Sequence, residues 1–129
     1  MKPPMEKNDL RHVFQRVPSG SALAFTVTQE GEDHKVQATM TSQGASGRQI
    51  QKNFPPAEVE ERTNLVNLRR PGVYQLVVLA TFSGSRGDIV RCSFVVRNPA
   101  GRDLESWDTV LRPAAPNDVC KCVVTTKVI

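Results

Sequence analysis

Three cysteines, Cys92, Cys120 and Cys122, are the most reactive side chains in this sequence. An odd number permits at most one internal disulfide and leaves at least one thiol. A single residue separates Cys120 from Cys122, which in a strand places both on one face at a spacing awkward for a mutual bridge. Cys92 can pair with either one if the strands align. Buried free thiols, acting as small apolar side chains, are the favoured interpretation, and a Cys92 disulfide is the alternative.

Metal binding and nucleophilic catalysis lack the residue patterns that they need. The two histidines, His12 and His34, are distant in sequence and no Cys-x-x-Cys pair occurs, so we expect no metal site. The thiols lie in segments with strand patterns, which predict burial rather than a Cys–His pair steered by a carboxylate. The carboxylates that do cluster, such as Glu60-Glu61, lie in polar turns. We therefore expect a protein that is not an enzyme and has no cofactor.

Charge and composition restrict the classes of partner. Seventeen Lys and Arg against thirteen Asp and Glu give a net charge of +4 in 129 residues, and 39% of the residues are hydrophobic. The basic residues are dispersed, whereas nucleic-acid binders usually carry a basic stripe, so nucleic acid is not an expected partner. The longest apolar run, residues 76–80, is far shorter than the roughly 20 residues of a membrane helix. No secretory signal follows residues 1–4, which leaves the compartment open.

Residues 1–20 differ in pattern from the rest of the chain. Leu10, Val13, Phe14 and Val17 recur at the i, i+3, i+4, i+7 spacing of one helical face. This spacing predicts a short helix in an N-terminal arm of residues 1–20. Because a helix of about ten residues is marginal alone, we expect it to dock on the main domain or on a partner. Leu10 and Phe14 are therefore candidate binding residues.

From residue 21 to residue 129 the apolar residues alternate with a period of two, which predicts strands. Residues 21–40 predict one hairpin. Residues 73–82 are apolar on both faces, which predicts a central strand, and with residues 89–97 they predict a long core hairpin. An edge strand near residues 106–111, anchored by Trp107, and a final strand at residues 119–129 follow. Seven to eight short strands and almost no other helix predict an all-β, two-sheet antiparallel sandwich.

Pro71-Gly72-Val73-Tyr74 carries a resemblance to a known class of domain. With the residues after it, this segment resembles the Pro-Gly-x-Tyr-x-Leu-x-Val start of the penultimate strand in immunoglobulin-like and fibronectin type III-like modules, over residues 64–96. In those families the tyrosine hydroxyl ties the strand to the preceding turn. The resemblance implies an immunoglobulin-like sandwich. The sequence departs from it in having Trp107 as its sole tryptophan and no cysteine two residues after Tyr74.

Arg86-Gly87-Asp88 is a short motif with a binding chemistry, at the predicted tip between residues 82 and 89. In fibronectin type III modules the same tripeptide, in the equivalent loop, is an integrin adhesion signal, because glycine separates an exposed cation from a metal-coordinating carboxylate. Gly-Asp is also ordinary turn chemistry. The motif therefore stands as a candidate binding site beside a purely structural turn.

These patterns favour a non-catalytic binding or structural module that mediates protein–protein interaction or assembly. Binding of a small ligand or carbohydrate on one sandwich face is an alternative, and a small hydrolase or metal-dependent enzyme is a second. We expect a protein partner, most simply a second copy paired through the terminal strand or the N-terminal helix. By analogy of fold, an extracellular or cell-envelope setting is favoured over the cytoplasm. A pocket with convergent polar groups would favour ligand binding, and a flat apolar patch or free edge would favour assembly.

Overall fold

The computed structural model describes residues 9–30, 34–44, 49–54, 63–82, 89–112 and 118–129. These residues form nine strands and no helix. In chain order the strands are β1 (Asp9–Val17), β2 (Ser21–Glu30), β3 (His34–Gly44), β4 (Gln49–Phe54), β5 (Thr63–Leu68), β6 (Gly72–Phe82), β7 (Ile89–Arg97), β8 (Asp103–Leu111) and β9 (Val119–Val128).

The strands pair into two sheets that pack face to face. One has five strands in the order β1-β9-β6-β3-β4, and the other has four in the order β5-β2-β7-β8. Every pairing is antiparallel except that of β1 with β9, which is parallel. The predicted all-β sandwich is therefore confirmed. The strands number nine rather than seven to eight because the segment predicted as a helix is also a strand.

The predicted N-terminal helix is wrong for the described residues, which form β1 instead. Leu10 and Phe14 point between the sheets, while Val13 points outward and is 44% exposed. The register shifts between Phe14 and Val17, and Arg16 adopts a left-handed φ of 56°. Such a bulge adds a residue and reverses the alternation, so Val17 is buried on the same side as Phe14. The bulged strand thus turns Leu10, Phe14 and Val17 towards the core on one side, at a spacing that also fits one face of a helix.

Charge pairing on the outer surface also links β1 to β9. The Asp9 carboxylate lies 3.1 Å from the Arg11 guanidinium and 3.6 Å from the Lys121 ammonium. Pairs at a surface contribute at most about 1 kcal/mol each. The hydrogen-bonded ladder and the complete burial of Phe14 are therefore the main restraints on this strand.

The two predicted hairpins are also wrong, because each pair of strands is divided between the sheets. Strand β2 pairs with β5 and β7, whereas β3 pairs with β4 and β6. In the same way β6 pairs with β3 and β9, and β7 pairs with β2 and β8. A period of two specifies which side chains face the core, and a chain that crosses to the facing sheet satisfies it as well as one that turns back. The central position predicted for β6 is confirmed.

The start of β6 is held by the hydroxyl contact expected at that corner. Tyr74 donates a hydrogen bond to the Arg70 carbonyl oxygen at 3.0 Å and accepts one from the Arg70 amide at 3.4 Å. The ring packs against the core. Tyr74 therefore joins the turn of residues 70–72 to the sandwich interior.

Aromatic side chains fill one side of the space between the sheets. Phe94 stacks with Phe25 at 6.4 Å and with Trp107 at 5.7 Å between ring centroids. The half-buried Trp107 stacks in turn on His12 of β1 at 5.0 Å, and His12 meets Phe14 edge-on at 4.7 Å. Trp107 thus anchors the edge strand β8, as predicted, and closes the sandwich along the β1–β8 side.

Candidate functional site

A groove of about 400 Å³ lies on the outer face of the four-stranded sheet. Strands β2, β7 and β8 form it. Polar residues on neighbouring strands and one valine line it, and their carbon atoms supply most of the lining surface: Thr26, Thr28, Arg91, Ser93, Asp108 and Val110, with Cys92 and Thr109 beneath.

Strand alternation explains why these side chains meet. On β2, Phe25 and Val27 are fully buried between the sheets, so Thr26 and Thr28 point outward. On β7, Cys92 and Phe94 are buried in the same way, which turns the residues on either side of Cys92 outward. The hydrophobic core therefore fixes which positions can line the groove.

The strand register arranges the groove as two parallel rows. Thr26 lies opposite Ser93, and Ser93 lies opposite Asp108. In the neighbouring row, Thr28 lies opposite Arg91, and Arg91 lies opposite Val110. We call these the Ser93 row and the Arg91 row. They are two residues apart along each strand, or roughly 7 Å, which suits a ligand of a few ring atoms.

Side-chain hydrogen bonds hold the Ser93 row. Ser93 Oγ donates to Asp108 Oδ1 at 2.6 Å, and the hydroxyls of Thr26 and Thr63 are 3.1 Å apart. Asp108 is exposed at the surface, so its carboxylate can accept further hydrogen bonds from a ligand. The Arg91 row adds a guanidinium with several donors. The groove therefore offers hydroxyl, carboxylate and guanidinium groups within one small concavity.

His12 belongs to a different part of the molecule. Its ring is packed between Trp107 and Phe14 at the side of the sandwich. It therefore points between the two sheets, whereas the groove lies on an outer face. In the described residues, Ser93 therefore lies beside the Asp108 carboxylate, and the His12 imidazole lies in another part of the molecule. This arrangement suits hydrogen-bonding recognition.

The described ranges hold no group of three or more His, Cys, Asp or Glu side chains placed to bind a metal ion. A helix of the length and apolarity needed to cross a membrane is also missing from them.

Of the candidate binding residues from the sequence, the structure describes Leu10 and Phe14. Phe14 is fully buried and Leu10 packs against the same core, so both side chains support the sandwich interior. Arg86, Gly87 and Asp88 lie outside the described residues. The groove itself escaped sequence analysis, because alternation shows that Ser93 points outward but only the register shows that Asp108 lies opposite it.

The three cysteines are free and buried, as the favoured interpretation predicted. Cys120 and Cys122 share the inner face of β9. The Cys120 thiol donates to the Arg112 carbonyl oxygen at 3.4 Å, and burial, with a smaller effect of the Asp118 charge, raises its pKa to about 11. A hydrogen bond to the Cys92 side chain, together with burial, raises the pKa of Cys122 far above its ordinary value.

The outer face of the five-stranded sheet carries exposed valines. Val13 on β1, Val73 on β6 and Val119 on β9 are 44%, 42% and 55% exposed. Strand β9 lies between β1 and β6, so the three point to one surface. Val13 and Val73 lie near one end of it, beside Thr125 and Lys127, whereas Val119 lies at the other end of β9. We call them the valine face.

Comparison with known proteins shows the fold alone. No protein-family profile matches the chain, and no curated protein matches it. The structure is similar to the crystal structure of a domain of unknown function, DUF4425, from Bacteroides vulgatus ATCC 8482, with a TM-score of 0.60. The match covers 86% of this chain and 98% of that chain at 10% sequence identity.

Proposed function

We propose that this chain is a non-catalytic binding module that holds a small hydroxyl-rich ligand, such as a saccharide, in the groove of the four-stranded sheet. The observation that carries the proposal is the convergence of the Ser93 row and the Arg91 row in one concavity of about 400 Å³. Small-molecule sites are typically concavities of about 300–1,000 Å³ with a few well-placed polar groups.

The chemistry of the two rows supports a neutral polar ligand. The Asp108 carboxylate, oriented by Ser93 at 2.6 Å, accepts hydrogen bonds from ligand hydroxyls. The Arg91 guanidinium donates to ring or hydroxyl oxygens, and Val110 offers an apolar surface to C–H groups. One anion and one cation on neighbouring rows favour a ligand without a large net charge.

An immunoglobulin-like architecture is part of this proposal. The parallel pairing of the first and last described strands and the Tyr74 hydroxyl bond to Arg70 support it, whereas β7, the strand after β6, lies in the opposite sheet rather than beside β6. In such modules strand surfaces serve as binding sites while the sandwich core stays rigid, so a groove built on three strands is preorganised.

The test is a titration with soluble mono- and oligosaccharides, monitored by backbone amide chemical shifts. We expect saturable shifts centred on Ser93 and Asp108 for at least one sugar, and at least a tenfold weaker affinity for Asp108→Asn. Asp103→Asn is the matched control, because Asp103 is an exposed carboxylate on the same strand that pairs with Arg97 at 3.3 Å outside the groove. Shifts that lie elsewhere, or a panel that produces none, would contradict the proposal.

Interaction with a protein partner is the second candidate, and the valine face favours it. The two routes expected from the sequence are occupied, since β9 is flanked by β1 and β6 and Phe14 is buried in the core. In this second candidate a partner, including a second copy of the chain, meets the sheet surface at the valine face. Light scattering over a concentration series tests self-association, with Val13→Ser and Val119→Ser expected to weaken it. A monomer mass maintained into the high micromolar range would refute the homodimer.

A further inference from the structure

Cys92 and Cys122 approach each other across the interior of the sandwich. Cys92 belongs to β7 of the four-stranded sheet and Cys122 to β9 of the five-stranded sheet. Both side chains point between the sheets, with exposures of 1% and 0%. The strands meet at this level, because His12, opposite Val124, stacks on Trp107, which lies opposite Phe94. The Cys92 side chain is also the largest cause of the raised pKa of Cys122. Two thiols in contact from opposite layers are the arrangement from which an inter-sheet bridge can form.

We propose that Cys92 and Cys122 are a disulfide-forming pair, so that oxidation covalently ties the two sheets together. The proposed oxidant is an external disulfide, such as oxidised glutathione. One thiolate attacks the external disulfide and releases one thiol, which leaves a mixed disulfide on the protein. The second thiolate then displaces the other external thiol, so two protein thiols are oxidised and one external disulfide is reduced to two thiols.

Cys120 does not compete for this bridge. It is two residues from Cys122 on the same face of β9, where the backbone separation of roughly 7 Å is at the limit of disulfide geometry. Its thiol instead donates to the Arg112 carbonyl oxygen at 3.4 Å. Cys120 is therefore an internal control of the same residue type, strand and burial.

Burial sets when the bridge can form. A thiolate is the attacking species, and the raised pKa of Cys122 keeps its thiol protonated in the folded protein. Both sulfurs are also shielded from an external oxidant. Closure is therefore slow in the native state and fast while the chain folds, and the finished bond is protected by the same burial.

The bridge would also restrain the groove on the outer surface, because β7 carries both Cys92 and two groove residues. Cys92 stands between Arg91 and Ser93, which are the central residues of the two rows of the groove. Fixing Cys92 to β9 restrains the strand that presents both side chains. The dithiol proposal stands on the two sulfurs alone and does not depend on what the groove binds.

The test is to refold the reduced, denatured chain in a mixture of reduced and oxidised glutathione, then alkylate it and digest it without reduction. Trypsin cleaves after Arg91 and after Lys121, so the three cysteines fall on three different peptides. We expect a Cys92–Cys122 linked pair as the main product, with Cys120 alkylated only after denaturation. Oxidant added to the native protein should form the same pair at least tenfold more slowly.

Variants separate this pairing from a general tendency to oxidise. Cys120→Ser should retain the bridge, and Cys92→Ser should lose it. The oxidised wild type should also have a higher urea midpoint than the reduced protein, because the bond closes a loop of roughly 30 residues. A linked peptide containing Cys120, a stable glutathione adduct, or three alkylated thiols would each overturn the proposal. The wild-type map decides even if Cys92→Ser does not fold.

Discussion

Leu76→Ala should be among the most destabilising single substitutions in this protein. Leu76 is fully buried on the central strand β6, between Met40 on β3 and Val124 on β9. Removal of three side-chain carbons forfeits about 2.4 kcal/mol of transfer free energy. Neighbours held in two hydrogen-bonded ladders cannot collapse into the space, so a cavity term raises the expected loss to about 3–5 kcal/mol.

Leu65→Ala is the matched control, because the same atoms are removed from the edge strand β5. Leu65 remains 51% exposed in the folded protein. Folding therefore gains only about half of the transfer free energy of the Leu65 side chain, and its truncation should cost about 1 kcal/mol. The two variants differ only in the environment from which the atoms are removed.

Urea unfolding followed by the fluorescence of Trp107, the sole tryptophan, provides the assay. Leu76→Ala should lower the midpoint at least twice as far as Leu65→Ala, with no change in the dependence on urea. Phe94→Ala should cost about 3–5 kcal/mol, but Phe94 stacks on Trp107 at 5.7 Å, so circular dichroism should follow that variant. Equal midpoints for Leu76→Ala and Leu65→Ala would refute the assignment of Leu76 to the interior.

Three further outcomes are expected. Tyr74→Phe keeps the ring and removes the hydroxyl bond to Arg70, which should cost about 0.5–1.5 kcal/mol in thermal or urea unfolding; an unchanged stability would show that water replaces the bond fully. Arg16→Gly should be neutral or stabilising and Arg16→Val destabilising by about 1 kcal/mol, because φ is 56° at this position; the opposite order would exclude the bulge. The unfolded chain loses the Cys120 proton near its ordinary pKa of 9.0 and the folded chain near 11, so stability contributed by this thiol is complete below pH 9 and falls as the pH rises towards 11. Urea midpoints of Cys120→Ser should therefore decline less over that interval than those of the wild type.

The sequence predicted the layers of this fold better than the connections between them. Alternation identified the inner faces of β2, β7 and β9, because burial imposes the same period wherever a strand is placed. It could not show that β6 and β7 lie in opposite sheets, since both topologies satisfy the pattern. The bulge at Arg16 inserted one residue into β1 and gave the apolar positions a helical spacing.

The groove was beyond prediction for a related reason. The outward positions Arg91 and Ser93 follow from alternation on β7, but their partners on β8 depend on a register with a shift between Val96 and Arg97. One residue of slip would replace Asp108 by Thr109 beside Ser93. The role of Tyr74 could be predicted from the sequence because it is local: the hydroxyl reaches a carbonyl only four residues earlier.

The parallel pairing of β1 with β9 has a consequence for synthesis of the protein. In the described chain β1 has no other ladder partner, and residues 119–128 form the last of the described strands in chain order. Until they emerge from the ribosome, β1 cannot join its sheet and one edge of β6 is open. At about 5–20 residues per second, some 5–20 s separate β1 from its partner. Closure of this long contact should make folding slow, and over that interval the nascent chain exposes the strand edges that chaperones bind.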